Sequence, residues 1–368
     1  MFTKANIRPR VAVVFGGPSH EYEVSCQSAA NVLRTLDRDR FTVKPIRVTR
    51  TGAWIAADQA GSYHAMDVEK LLHLTRDELL EPKHRNGTNV AAAAAALEDT
   101  DVVFPVMHGG YGEDGTIQAL LDLIGVPYVG NGIFASAAGM DKQQTKRLLV
   151  AEGLNVADGV VLDGNDVTID EATKDRLGLP VFVKPARSGS SIGVTRVSRW
   201  SDLASAIELA RRSDSKVLVE RGVSGREVEV GVLQRPDGTV EAGPPLEVVL
   251  PHSTEFFDYD AKYTDASVEL RVPADLDAEI VAQLHKVALD VFRILGCKGI
   301  LRVDFFLQPH QGRVVPVVNE VNTMPGFTPM SQYPRIWKAA GIELTDLLTI
   351  LIETAIQEDL PGRMPEMV

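Results

Sequence analysis

Two β-branched runs near the carboxyl end each carry polar residues two positions apart, and no other feature limits the possible folds as much. Leu301 to Phe306 holds Arg302 and Asp304. Val314 to Val318 leads into Asn319-Glu320-Val321-Asn322-Thr323-Met324-Pro325-Gly326. Along a strand, residues i and i+2 project to one face. Arg302 and Asp304 therefore share a face, and so do Glu320 and Asn322. If the two strands pair, two carboxylates, an amide oxygen and a guanidinium converge on one patch. A few hard oxygen donors, with coordination left for water and phosphates, describe a Mg²⁺ site. Taken pair by pair, the same residues would also suit two ordinary strands with a solvated polar face. The phosphate-handling segments upstream separate the two readings.

The chain has 368 residues, more than one typical core accommodates, so two or three domains are expected. A hydrophobic content of 45% and a charged content of 24% are those of a soluble globular protein. The net charge of −12 argues against a nucleic-acid or anionic-membrane partner, since both need a basic footprint. Cys26 and Cys297 are far apart and in no metal-ligand spacing. A disulfide scaffold or zinc site is therefore not expected, and a reducing compartment fits. The apolar run Val11 to Phe15 is too short for a signal peptide and ends in Gly16-Gly17. No apolar stretch is long enough to cross a bilayer. A cytoplasmic location is expected.

Alternation of strand and helix patterns over the first third predicts a parallel α/β sheet. Strands are expected at 11–15, 41–48, 101–106 and 126–129, with helices at 23–36, 91–97 and 117–124. The first domain is placed at 1–130. A second, at 131–222, is expected to hold a helix at 141–152, a strand at 181–183, a glycine-serine loop at 187–193, a helix at 201–211 and a strand at 216–220. A third, at 223–368, is expected to hold strands at 227–234, 268–272, 300–307 and 313–318, and helices at 278–295 and 344–357. Residues 251–267 lack periodicity and are aromatic and charged; a loop this long inside an enzyme reads as a lid. Residues 58–90 carry no functional signal.

Four further segments suggest ligand chemistry. Lys184-Pro185-Ala186-Arg187-Ser188-Gly189-Ser190-Ser191-Ile192-Gly193 ends an apolar strand. Small residues let backbone N–H groups approach phosphate oxygens, and the lysine adds a point charge. It is not a Walker loop, because the lysine precedes the glycines; a hairpin tip with a surface lysine is the bland alternative. Lys142 opens a helix, where a cation is mildly unfavourable unless an anion is bound. Val217 to Val223 runs from strand into turn, so its edge can meet a purine while Glu220 takes an exocyclic amine and Glu227 a ribose. At Gly16-Gly17-Pro18-Ser19-His20-Glu21-Tyr22-Glu23-Val24-Ser25, Glu23 sits near a helix N-terminus. The helix dipole explains it adequately, and a substrate ammonium is the functional alternative. His108-Gly109-Gly110-Tyr111-Gly112-Glu113-Asp114-Gly115 follows the next strand, at the carboxyl end of the sheet where α/β ligands bind.

In order along the chain, these segments together with Met140-Asp141-Lys142 and Asp258-Tyr259-Asp260-Ala261-Lys262-Tyr263 resemble the D-alanine–D-alanine ligases of the ATP-grasp superfamily. The resemblance runs from Val11 to about Ile352. It implies a three-domain ATP-grasp architecture with an N-terminal Rossmann-like α/β domain that binds the first D-alanine. It implies two Mg²⁺, with Mn²⁺ as a substitute, held by Asp304, Glu320 and Asn322. ATP would be held by Lys142, Lys184, Ser190, Ser191, Glu220, Val223, Glu227 and Phe306. Glu23 would hold the first ammonium with His108 nearby, Arg302 and the Gly326 N–H would stabilise an oxyanion, and Ser331 and Lys262 would bind the second carboxylate. Ser190 and Tyr263 would link to Glu23 and close the lid. The implied reaction phosphorylates one D-alanine and joins it to a second for peptidoglycan synthesis, in a homodimer. One departure stands out: polar Gln332 follows Ser331 where an apolar residue is expected. Among rivals, a D-alanine–D-lactate relative is disfavoured by Tyr263. Other ATP-grasp ligases have no reason to carry Glu23 with His108, and a regulatory nucleotide binder has no need of Arg302 beside a full metal set.

Overall fold

The computed structural model describes residues 8–56, 90–164, 166–249 and 268–358. The expected lid at 251–267, with Lys262 and Tyr263, and most of the 58–90 stretch lie outside the described residues.

The first sheet has the order β3-β2-β1-β4. β1 (Arg10–Gly16) pairs in parallel with β2 (Thr42–Val48) and with β4 (Val102–Val106), while β3 (Trp54–Ala56) is antiparallel to β2. Val11 to Phe15 is continuously apolar because both faces of β1 are covered. Flanking helices are α1 (Tyr22–Thr35), α2 (Val90–Ala96) and α3 (Thr116–Ile124). Residues 126–129 contribute only an isolated parallel bridge, Val103 to Tyr128, rather than the expected strand; Pro127 has no N–H to extend a ladder.

Two helices follow, α4 (Ile133–Met140) and α5 (Lys142–Ala151). Asp141 separates them and caps α5, its carboxylate accepting from the N–H groups of Gln143 and Gln144 at 3.1 and 3.2 Å. The second sheet is antiparallel, with the order β5 (Gly159–Leu162), β8 (Val217–Arg221), β6 (Val181–Pro185), β7 (Thr195–Val197). Helices α6 (Glu171–Leu177) and α7 (Leu203–Arg211) accompany it. The third sheet has the order β12-β11-β9-β13-β14, with β10 on β9. Its strands are β9 (Arg226–Gln234), β10 (Val240–Ala242), β11 (Leu246–Val249), β12 (Glu269–Arg271), β13 (Ile300–His310) and β14 (Arg313–Asn322). Helices α8 (Ala278–Ile294), α9 (Gln332–Ala339) and α10 (Leu344–Glu358) complete the chain.

Packing joins distant stretches. Leu347, Leu348, Leu351 and Ile352 of α10 bury against Val11, Val13 and Phe104 of the first sheet. Ala135, Ala138 and Leu149 of α4 and α5 bury with Val303 and Phe305 of the third sheet, although they lie in the stretch expected for the central domain. The second sheet keeps its own core around Val181, Ile207 and Val219. Among the described residues, no helix is long and apolar enough to cross a membrane.

Candidate active site

β13 and β14 form a hairpin in which Arg302 stands opposite Asn322 and Asp304 opposite Glu320. Directly opposed residues of an antiparallel pair project to the same side, so all four polar groups share one face. The register then shifts: Phe305 pairs with Val318, leaving Asn319 as an inserted residue beside the acids. Arg302 is buried and donates from Nε and Nη2 to the two oxygens of Asp304 at 2.7 and 2.8 Å. Its Nε lies 3.3 Å from Glu229 Oε2. Burial alone would lower the Arg302 pKa, but Asp304 and Glu229 overcome it and keep the guanidinium charged. Asn322 Nδ2 donates to Asp304 at 3.0 Å, which leaves its amide oxygen for another partner.

Two neighbouring cavities meet at this hairpin. The first is small, about 100 Å³, with walls including Glu21, His108, Glu113, Arg302, Gly326 and Ser331. The second holds about 480 Å³, with walls including Lys184, Ser191, Glu220, Val223, Glu227 and Phe306. Lys142, Ser188 and Glu320 belong to both. Lys142 is the first residue of α5; its Nζ donates to the Ser188 carbonyl at 2.7 Å and lies 3.4 Å from Glu320 Oε2. Lys184, at the end of β6, reaches Glu220 at 2.7 Å. Between the cavities, Ser190 and Ser191 hold φ of +51° and +56°. Two consecutive non-glycine residues in the left-handed region concentrate strain of the kind found at ligand clamps.

One expected residue is displaced. Glu23 points away from the cavities: its side chain is 55% exposed and pairs with Arg50. Glu21 is buried, lines the first cavity and accepts a hydrogen bond from Ser190 Oγ. Gly189 packs so close that a Cβ there would lie 2.6 Å from a Glu21 oxygen. The cause is register. Glu21 precedes the first turn of α1, and two residues along a helix turn about 200° around its axis.

His108 lines the first cavity, but both its nitrogens are engaged. Nδ1 lies 3.1 Å from the Met324 carbonyl and so must donate to it. Nε2 then accepts from Ser28 Oγ, at 2.9 Å, whose own acceptor capacity goes to the Phe327 N–H. Burial lowers the imidazole pKa, in keeping with this neutral tautomer. Glu113, given no role on sequence, accepts from the Gly109 and Met324 N–H groups at 2.8 and 3.0 Å. Burial, with Glu21 beside it, pushes its carboxyl up to about 8 against those two donors. His108 and Glu113 thus grip the Met324 peptides from both sides. Ser331 is buried at the start of α9, accepting from the Thr328 N–H at 3.0 Å, and Gln332 also lines the first cavity.

The residues present fit a nucleotide and a hard divalent cation. The second cavity has the size of a small-molecule site, with Lys142 and Lys184 among its polar walls and Phe182 and Phe306 among its apolar ones. Asp304, Glu320 and the Asn322 amide oxygen are hard donors on one face. Among the described residues no cluster of three or more His, Cys, Asp or Glu could hold a metal. Two carboxylates and an amide oxygen on one face suit a hard divalent cation that takes the rest of its coordination from phosphates and water.

Two family models match the chain, the D-ala D-ala ligase N-terminus over residues 10–131 and the D-ala D-ala ligase C-terminus over residues 148–353. A D-alanine–D-alanine ligase of Mycobacterium sp. (strain KMS) is 50% identical over 366 residues, covering 95% of this chain and 97% of the relative. Its counterpart from Nocardia farcinica (strain IFM 10152) is 50% identical over 357 residues, with the same shares. Among solved structures, the D-alanine-D-alanine ligase from Coxiella burnetii matches with a TM-score of 0.78 and 34% identity, over 96% of this chain and 95% of that one. VanG D-Ala:D-Ser ligase from Enterococcus faecalis matches with a TM-score of 0.78 and 36% identity, over 95% and 100%. The Bacillus anthracis D-alanine–D-alanine ligase complexed with ATP matches with a TM-score of 0.71 and 29% identity, over 96% and 98%. With both halves of the family model matched and the ATP-grasp architecture shared throughout, the chain belongs to the D-alanine–D-alanine ligase family.

Proposed function

We infer that this chain is an ATP-dependent ligase that joins two D-alanine molecules into D-alanyl-D-alanine for peptidoglycan precursor synthesis, with ADP and phosphate as the other products. The observation that carries the reading is the junction of the two cavities at Lys142, Ser188 and Glu320, with Arg302 and Gly326 in the wall of the smaller one. A nucleotide in the larger cavity with its phosphates at that junction would adjoin a space of about 100 Å³, which suits a small amino acid.

A carboxylate is a poor electrophile. In the proposed sequence, an oxygen of the first D-alanine attacks the γ-phosphorus and ADP leaves. The amine of the second D-alanine then attacks the acyl carbon, and the C–O bond to phosphate breaks. Glu21 accepts from the first ammonium while Ser190 fixes its carboxylate. Lys142 and Lys184 neutralise phosphate oxygens, and Glu220, Val223 and Glu227 receive the adenosine. Asp304, Glu320 and Asn322 would hold the divalent cations, which supply charge neutralisation at the transferring phosphoryl group. Arg302 and the Gly326 N–H stabilise the oxyanion of the tetrahedral intermediate. Ser331 and Lys262 bind the second carboxylate, and Tyr263 closes the site against water, which would hydrolyse the acyl phosphate. A cytoplasmic homodimer is the proposed working form.

Gln332 favours one alternative acceptor. A polar side chain beside Ser331 can bond a hydroxyl, which D-serine has and D-alanine lacks. Phosphate release by the purified protein with ATP and Mg²⁺ tests both readings. D-alanine alone is expected to support full turnover, whereas L-alanine supports none. Turnover requiring D-serine or D-lactate beside D-alanine would overturn the dipeptide assignment.

A further inference from the structure

Lys146 has no role in the scheme above, yet it is one of the most confined charges in the molecule. It lies one turn along α5 from Lys142 and is buried. Its Nζ is 2.6 Å from Glu220 Oε1, while Lys184 Nζ is 2.7 Å from Oε2 of the same carboxylate. Glu220 is itself only 3% exposed, so one buried anion carries two cations. The two lysines face different spaces. Lys184 lines the nucleotide cavity. Lys146 does not, and instead shares with Glu220 a neighbouring groove between α5 and β5.

Nucleotide phosphates compete with Glu220 for Lys184. When that ammonium turns to the phosphates, Glu220 loses half of its compensation inside the protein. A buried carboxylate without a partner takes up a proton. An ionised carboxylate only accepts hydrogen bonds, so it suits a 6-amino purine, which donates, and repels a 6-oxo purine, which accepts. A protonated carboxyl can donate and loses that preference.

We propose that Lys146 is a positioning residue for base selection, holding Glu220 ionised and aimed into the nucleotide cavity once Lys184 has moved to the phosphates. The proposal rests on the reading of Glu220 as the partner of the adenine amine. It accounts for a cation that lies outside the lining of the nucleotide cavity yet pairs with a carboxylate inside it. Burial would raise the Glu220 carboxyl, but Lys146 and Lys184 outweigh it and hold it low. Burial brings the Lys146 ammonium down to about 8, with Glu220 opposing and Lys184 adding to the fall, so departure of Lys184 leaves Lys146 more firmly charged.

The test is titration calorimetry of ADP and GDP, with Mg²⁺, on the wild type, Lys146→Met, Lys146→Arg and Glu220→Gln, beside steady-state kinetics with ATP. In Lys146→Met, ADP affinity is expected to fall ~10-fold while GDP changes less than ~2-fold, the scale of one hydrogen bond to a charged group. KM for ATP should rise in parallel, with kcat at saturation nearly constant, and Lys146→Arg should restore the preference. If Lys146→Met fails to fold, Lys146→Gln, which keeps a donor toward Glu220 without the charge, carries the same expectation. Loss of base preference in Glu220→Gln together with an intact preference in the uncharged Lys146 variant would overturn the proposal. An unchanged preference in Glu220→Gln would instead overturn the placement of adenine on which it rests.

Discussion

Asp304 and Glu320 face each other across one hairpin, and each amide substitution removes a charge without changing shape. Asp304→Asn and Glu320→Gln are expected to lower kcat/KM at least ~100-fold, about 2.7 kcal/mol of transition-state stabilisation; the melting temperature should stay near normal in Glu320→Gln and fall in Asp304→Asn, which takes a charged partner from the buried Arg302. Steady-state dipeptide formation at saturating Mg²⁺ checks this, and near-normal turnover would remove the cation from that face. The glutamates at the start of α1 give a sharper contrast. Glu21→Gln is expected to cost ~100-fold in kcat/KM for D-alanine, the scale of a lost charged partner at a buried site. Glu23→Gln should change it less than ~2-fold, since an exposed pair such as Glu23 with Arg50 contributes little. Kinetics on the two single variants decide between them, and the reverse ranking would restore Glu23 to the site. Sequence reasoning could not separate the two, because the helix dipole welcomes a carboxylate at either position. What distinguishes them is where α1 starts and the touch of Ser190, 169 residues away in the chain.

At the scale of elements, legibility followed length and burial. β1, β2, β4, β13 and α8 announce themselves through sustained apolar runs or helical spacing. β3, β5, β7, β10 and β11 span three or four residues each, too few for a period to show, whereas β12 was foreseen at 268–272. α4 (Ile133–Met140) is apolar on more than one side and has no polar stripe to mark its phase. The pairing of the two polar strands was readable because alternation fixes faces; the inserted Asn319 was not, since a bulge obeys local strain rather than pattern. The loop ahead of α9 shows how tightly these elements meet. A Cβ on Gly326 would lie 2.6 Å from Ser331 Oγ, so Gly326→Ala must displace the Ser331 hydroxyl from its present position. Its kcat/KM is expected to fall ~10-fold or more, with KM for the second D-alanine rising most; such a displacement corresponds to roughly one lost hydrogen bond. Initial rates across D-alanine concentrations would show this, and an unchanged second KM would separate Ser331 from the acceptor.

Across the whole molecule, the active site joins segments from both ends of the chain. α10 buries its leucines in the core of the first sheet, and His108 and Glu113 of that same unit hold Met324 beyond β14. Glu113 makes this junction sensitive to pH. Burial raises its carboxyl to about 8 in the folded protein from an ordinary 4.5. The folded state therefore binds this proton more tightly than the unfolded chain does. The stability it contributes is fully present below about 4.5 and is lost as pH rises through about 8. Melting temperature without ligands should accordingly decline across that window, and Glu113→Gln should flatten its share of the decline; an identical slope in the variant would contradict the shift. The central claim concerns chemistry at the junction of the two cavities. Its most direct test is transfer of label from D-alanine carrying ¹⁸O in both carboxylate oxygens. If the carboxylate attacks ATP and the acyl phosphate then breaks at its C–O bond, each phosphate released with dipeptide should contain one ¹⁸O atom by mass spectrometry. Dipeptide formed together with unlabelled phosphate would show that no acyl phosphate lies on the path.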